Sequence, residues 1–140
     1  METSELKVIA RKCEMFQSLD GDELDLLLFY GEQKEFASGH TIYSSGEPAE
    51  GNFCLILSGR IEIITENGRV IRKMGRGEVI GEIGVTSPQS KRTVTARTAE
   101  PTLLLEWNVK YVKNHWPVVL KKLKDQAWKH LATYYEGGKR

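Results

Sequence analysis

Apolar positions along the chain change their period twice, and the changes divide it into three parts. Near the start, Leu6, Ile9, Ala10 and Cys13 recur at helical spacing, which predicts an amphipathic helix. A second helix is predicted to open at Asp20, because Glu23 stands three residues later, as in a capping box. Leu19 and Leu24 occupy the two positions of a hydrophobic staple around that cap. Leu24, Leu27 and Leu28 form its buried stripe, and Gly31 supplies a C′ stop.

From about Glu32 to Trp107 the period falls to two, and glycine turns separate short β-rich runs. Phe53-Cys54-Leu55-Ile56-Leu57 reads as a strand turned by Ser58-Gly59, and Ile61 and Ile63 alternate with Glu62. Asn67-Gly68 lies between Ile63-Ile64 and Val70-Ile71, the signal of a hairpin with a type I′ turn. Gly75-Arg76-Gly77 marks another turn, and Thr93-Val94-Thr95-Ala96 and Leu103-Leu104-Leu105 are later strands. Helical spacing then returns. Asn108 caps a short helix ending near His115, and Pro117 suits the first turn of the next one. Leu120, Leu123, Ala127, Leu131 and Tyr134 form one stripe, with Trp128 and Tyr135 beside it. The expected fold is mainly β: an eight-stranded jelly-roll barrel with helices at both ends. One domain, 1–140, is expected, with helices in 1–31, the barrel in 32–107 and helices in 108–140.

Composition narrows the function classes. The net charge of +1 points to no polyanionic partner by itself, but the charge is unevenly placed. Residues 1–108 carry 12 Lys/Arg against 17 Asp/Glu, a net of −5, whereas 109–140 carry 8 against 2, a net of +6. The basic end reads first as a solvated face, with an acidic partner or an anionic membrane surface as the functional alternative. No apolar run is long enough for a membrane span. The acidic start, Met1-Glu2-Thr3-Ser4-Glu5, carries no secretory pattern. Cys13 and Cys54 are isolated, which fits a reducing, cytoplasmic setting. His40, His115 and His130 form no paired motif, so no metal site and no cofactor is expected. No G-x-S-x-G or Walker loop is present, and nothing supports an enzyme.

The stretch from Ile42 to Ile63, with Ser44-Ser45-Gly46-Glu47, Phe53-Cys54-Leu55-Ile56-Leu57 and Ser58-Gly59-Arg60-Ile61, resembles the cyclic nucleotide-binding domain family. Gly75-Arg76-Gly77-Glu78-Val79-Ile80-Gly81-Glu82-Ile83-Gly84 is similar to the start of that family's phosphate-binding cassette, and Thr93-Val94-Thr95-Ala96 to the strand that closes it. The resemblance, to catabolite activator and protein kinase A regulatory subunit domains, covers nearly the whole chain. It implies a regulatory module for cyclic AMP or cyclic GMP. Glu82 would take the ribose 2′-OH, and the backbone around Gly81, Ile83 and Gly84 would approach the phosphate. In the family an arginine before the closing strand takes the phosphate charge. Counted back from Thr93-Val94, that position falls on Ser90; counted forward from Glu82, it falls on Lys91. Lys91 or Arg92 would supply the cation, and because neighbouring strand residues face opposite ways, at most one of them points inward. Thr93 offers a hydroxyl to the phosphate or base.

The same resemblance implies that the last helix covers the base, with Trp128 and Tyr134 as candidate lid residues, and that a homodimer forms through that helix. The bland reading, an aromatic stripe packing the helix down, is favoured for those side chains. The chain ends soon after Tyr135, so it is read as a stand-alone domain without a helix-turn-helix and without direct DNA contact. Its output would be a separate protein of unknown identity. The alternative is a degenerate domain that no longer binds ligand and serves as an interaction or dimerisation module, with Arg92 folded onto Glu82. An oxygenase-like cupin is a third, weaker reading.

Overall fold

The computed structural model describes residues 1–48, 51–81, 92 and 94–138, with the side chains of 127, 128 and 130–138 outside that description. Helix α1 (Thr3–Arg11) turns Leu6, Ile9 and Ala10 inward, and Cys13 is buried just beyond it. A 3-10 turn, Glu14–Phe16, buries Met15 and Phe16. Helix α2 (Gly21–Tyr30) starts on the expected capping box. The Asp20 carboxylate accepts from the Glu23 N–H at 2.8 Å, and the Glu23 carboxylate from the Asp20 N–H at 2.9 Å. Such a cap contributes about 1 kcal/mol.

Gly31 ends α2 for a different reason from the one expected. Its backbone is extended, φ −71° and ψ 142°, not left-handed. A Cβ there would stand 2.6 Å from Leu105 Cγ, so glycine is needed for close packing of the helix end on the sheet.

Eight strands follow among the described residues: β1 (Glu32–Phe36), β2 (Thr41–Tyr43), β3 (Asn52–Ser58), β4 (Arg60–Ile64), β5 (Val70–Gly75), β6 (Val79–Ile80), β7 (Thr95–Thr98) and β8 (Thr102–Asn108). They form two antiparallel sheets, ordered β1-β8-β3-β6 and β2-β7-β4-β5. The expected barrel is therefore corrected to two sheets, since no strand pair joins them among the described residues. Edge strands β2 and β6 have only three and two residues, too few for a closing ladder.

Strand β3 explains the layering. Phe53, Leu55 and Leu57 face the helices and pack with Phe16, Leu24, Leu27 and Trp107. Cys54 and Ile56 face the other sheet and pack with Ile61, Met74, Ile80 and Leu104. A strand covered on both faces reads as an unbroken apolar run, which is why Phe53–Leu57 shows no polar alternation. Trp107 ties the sheet to α2: its ring stacks on Phe53 and its Nε1–H donates to the Leu27 carbonyl at 2.7 Å.

The β4–β5 hairpin forms where Asn67-Gly68 predicts it, but with a longer loop. Thr65 N–H donates to the Arg69 carbonyl, Gly68 N–H to the Thr65 carbonyl, and Gly68 takes the left-handed φ of +83°. This is a three-residue loop, Glu66-Asn67-Gly68, in place of the two-residue turn.

Helix α3 (Val109–His115) is capped by Asn108, whose Oδ1 accepts from the Tyr111 N–H at 3.2 Å. Helix α4 (Pro117–Gly138) starts at Pro117 and buries Leu120 and Leu123. The rest of its predicted stripe, Ala127, Leu131 and Tyr134, and the flanking Trp128 and Tyr135, lie outside the described side chains. No helix among the described residues is long and apolar enough to cross a membrane.

Candidate functional site

Alternation along β3 turns Asn52 and Cys54 to the space between the sheets, and alternation along β8 turns Glu106 there too. With Ile42, Tyr43, Glu47, Pro48, Ile80, Gly81 and Arg92 they enclose a cavity of about 340 Å³. That volume falls in the range of small-molecule sites.

Gly81 lies on the cavity wall with φ +86°, a backbone that L side chains rarely adopt. A Cβ there would come 2.7 Å from the Asn52 carbonyl oxygen and 3.3 Å from an Arg92 guanidinium nitrogen. The glycine lets the two chain segments and the guanidinium meet.

Arg92 is fixed by its backbone. Its N–H donates to the Glu47 carbonyl at 2.9 Å, and its carbonyl accepts from the Gly46 N–H at 2.8 Å. The side chain then runs into the cavity. Nη2 donates to the Asn52 carbonyl at 3.2 Å, and Cζ lies 4.2 Å from the centre of the Tyr43 ring. A cation over a tyrosine face is held electrostatically as well as by contact. Among the described residues no carboxylate lies within ion-pair distance of this guanidinium.

Glu106 is balanced differently. Its Oε1 pairs with Lys34 Nζ at 2.8 Å, and its Oε2 accepts from Cys54 Sγ at 3.8 Å. The carboxylate raises the Lys34 pKa above the ordinary lysine value, chiefly through that hydrogen bond. Burial, with Glu106 beside it, pushes the Cys54 thiol far up and keeps it protonated. Asn52 Oδ1 is buried and has no hydrogen-bond partner among the described residues. The cavity thus presents the Arg92 guanidinium as its donor.

Of the residues expected from sequence, the structure brings Gly81 and Arg92 together here. Glu82, Ile83, Gly84, Ser90, Lys91 and Thr93 lie outside the described residues, and so do the lid side chains of Trp128 and Tyr134. The Glu82 partner expected for Arg92 in the degenerate reading falls there too. Sequence reasoning missed Tyr43, Asn52, Cys54 and Glu106 as cavity residues. The signal for Glu106 was present: it is the lone charge in the otherwise apolar run Leu103–Trp107. No group of three His, Cys, Asp or Glu placed to hold a metal occurs among the described residues.

The model of the cyclic nucleotide-binding domain matches residues 33–114, more than half of the chain. The chain belongs to the cyclic nucleotide-binding domain family. Solved structures carry the same fold. A cyclic nucleotide-binding domain from Methylobacillus flagellatus superposes with a TM-score of 0.78 at 20% identity, covering 96% of this chain and 78% of that one. The regulatory domain of Toxoplasma gondii PKA, solved with cAMP, gives 0.75 at 21% identity, covering 94% and 48%. Among curated proteins, a patatin-like phospholipase domain-containing protein of Caenorhabditis elegans is 30% identical over 84 residues. That match takes 59% of this cyclic nucleotide-binding domain chain and 6% of the relative's length.

Proposed function

We propose that this cyclic nucleotide-binding domain is a regulatory sensor that holds cyclic AMP or cyclic GMP between its two sheets, read as the halves of a jelly roll. The observation that carries the reading is the Arg92 guanidinium, which enters the cavity beside Gly81 with no carboxylate on it among the described residues. A phosphate is the natural partner for such a group, because guanidinium and phosphate pair through two parallel hydrogen bonds. Arg92 takes the role left between Lys91 and Arg92 by the sequence. Glu82 binds the ribose hydroxyl, the amides from Gly81 to Gly84 approach the phosphate, and Ser90 and Thr93 add hydroxyls. Helix α4, with Trp128 and Tyr134, closes over the base and passes the signal to a separate protein in the cytoplasm. Ligand shifts that equilibrium only as far as its affinities for the open and closed states differ. The role is regulatory and not catalytic. The matched curated relative is named for a patatin-like phospholipase domain, so a lipid hydrolase is one class of output.

Melting temperature tests this reading. A ligand at a hundred times its Kd stabilises by about 2.7 kcal/mol, a rise on the order of 10 °C for a domain this size. Cyclic AMP or cyclic GMP should give such a rise, and AMP should not. No rise with either cyclic nucleotide at millimolar concentration rejects the sensor.

A second reading rests on the same side chain. Arg92 already has the Asn52 carbonyl and the Tyr43 ring as partners, so the guanidinium is held in place without ligand. A ligand-free interaction module follows if those contacts are never exchanged for a phosphate.

A further inference from the structure

Glu106 puts a carboxylate on the wall of the same cavity that Arg92 enters. The β3–β8 register sets it opposite Cys54. Its side chain is 19% exposed and is held at both oxygens, by Lys34 Nζ at 2.8 Å and by the Cys54 thiol. It turns away from a ligand only by giving up both contacts.

Lys34 answers that charge without cancelling it inside the cavity. Lys34 stands on the edge strand β1, its side chain is 39% exposed, and it is not part of the lining. The Cys54 thiol, itself on the cavity wall, feels the balance. Burial raises its pKa most, and the charge of Glu106 comes next, acting on it more strongly than that of Arg92 or that of Lys34. Glu47, the other carboxylate of the lining, is exposed, and water screens it. Arg92 is the one cation of the lining among the described residues. One guanidinium therefore shares the cavity with one fixed, half-shielded negative charge.

That balance sorts phosphates by charge. A cyclic nucleotide is a phosphodiester with a single negative charge, which Arg92 matches. A 5′-nucleotide is a phosphomonoester, about −1.5 to −2 at pH 7. Its second charge meets Glu106 and, among the described residues of the lining, no second cation. Coulomb energy is proportional to the ligand charge, so Glu106 opposes the monoester nearly twice as strongly as the diester. We infer that Glu106 is a charge filter, whose carboxylate passes singly charged phosphodiesters and rejects doubly charged phosphomonoesters. The inference rests on the sensor reading above and assigns its selectivity for cyclic over open nucleotides to this residue.

The test is titration calorimetry at pH 7 with cyclic AMP and cyclic GMP, and with AMP and GMP by competition, on wild type, Glu106→Gln and Lys34→Gln. A thermal melt shows each variant folded. Glu106→Gln keeps the size of the side chain and removes its charge. It should bind the cyclic nucleotide about threefold or more tighter, and the matching monoester should gain close to the square of that factor. Lys34→Gln leaves the carboxylate unanswered, and should weaken the cyclic nucleotide by about threefold or more and the monoester further. A purely structural role for the pair would not move affinity in opposite directions from its two ends. The filter is overturned, with the sensor reading intact, if Glu106→Gln binds the cyclic nucleotide no tighter than wild type. Equal gains for diester and monoester overturn it too, as do two variants that shift affinity in the same direction. A monoester that still fails to bind Glu106→Gln at millimolar concentration also overturns it, because shape and not charge then excludes it. A wild type that binds neither cyclic nucleotide overturns the sensor reading itself, and the filter with it.

Discussion

Replacing Arg92 by alanine is the sharpest perturbation of the cavity. Its guanidinium is the cation that faces the cavity beside Gly81, 3.2 Å from the Asn52 carbonyl and 4.2 Å over Tyr43. Hydrogen bonds to charged groups contribute about 1.5–3 kcal/mol, so losing the pair to a phosphate should weaken cyclic nucleotide binding roughly 10- to 150-fold. Arg92→Lys keeps the charge and loses the fork, and should fall between wild type and alanine. Stability should fall too: the alanine variant keeps the backbone bonds to Gly46 and Glu47 but loses the Nη2 bond to the Asn52 carbonyl as well as the ring contact, which by itself contributes about 0.5–2 kcal/mol. Titration calorimetry gives the affinities, and a thermal melt confirms the fold. An alanine variant that binds within twofold of wild type refutes the argument, because the phosphate charge must then be met by another residue.

Further predictions concern the frame around the cavity. Gly81→Ala should destabilise by about 1–3 kcal/mol or more in urea titration, since it forces a side chain into φ +86° and against the Asn52 carbonyl. Trp107→Phe should cost about 1–3 kcal/mol in the same assay, by stranding the Leu27 carbonyl that the indole N–H now satisfies. Alkaline pH should destabilise the fold. Lys34 and Cys54 both have folded pKa values raised above their unfolded ones, so their contributions are full below the unfolded values and are lost as pH rises past them. Urea midpoints should therefore fall from about pH 9 upward, at up to about 1.4 kcal/mol per pH unit for the thiol, and Cys54→Ala should flatten the first part of that fall. Cys54 should also react far more slowly with a thiol reagent in the native than in the unfolded protein, because it is buried and protonated.

Much of the fold was legible because local rules and burial agreed. The capping box at Asp20 and Glu23, the Asn108 cap and the Pro117 start each depend on residues within one helical turn, and each forms. The strand at Phe53–Leu57 was visible as an apolar run, yet which face met which core was not, because both faces are buried. Gly31 was read from local turn chemistry, while its cause is Leu105, 74 positions away along the chain. The barrel was inferred from strand spacing, but closure depends on strand pairs whose lengths are set in three dimensions. In the site, Gly81 was legible from its neighbours. The direction of Arg92 was not, since it is decided by backbone bonds to Gly46 and Glu47. Tyr43 and Asn52 look like ordinary strand residues until the sheets face one another. Glu106 alone carried a signal, a single charge in an apolar strand, and Lys34 across the ladder shows how it is accommodated.

The measurement that tests the central claim most directly is isothermal titration of the purified chain with cyclic AMP and then with cyclic GMP. The account predicts one saturable site per chain for at least one of them, at micromolar affinity or tighter. No heat from either at millimolar concentration, with the protein shown folded, contradicts it and leaves Arg92 as a charge that the fold keeps for itself.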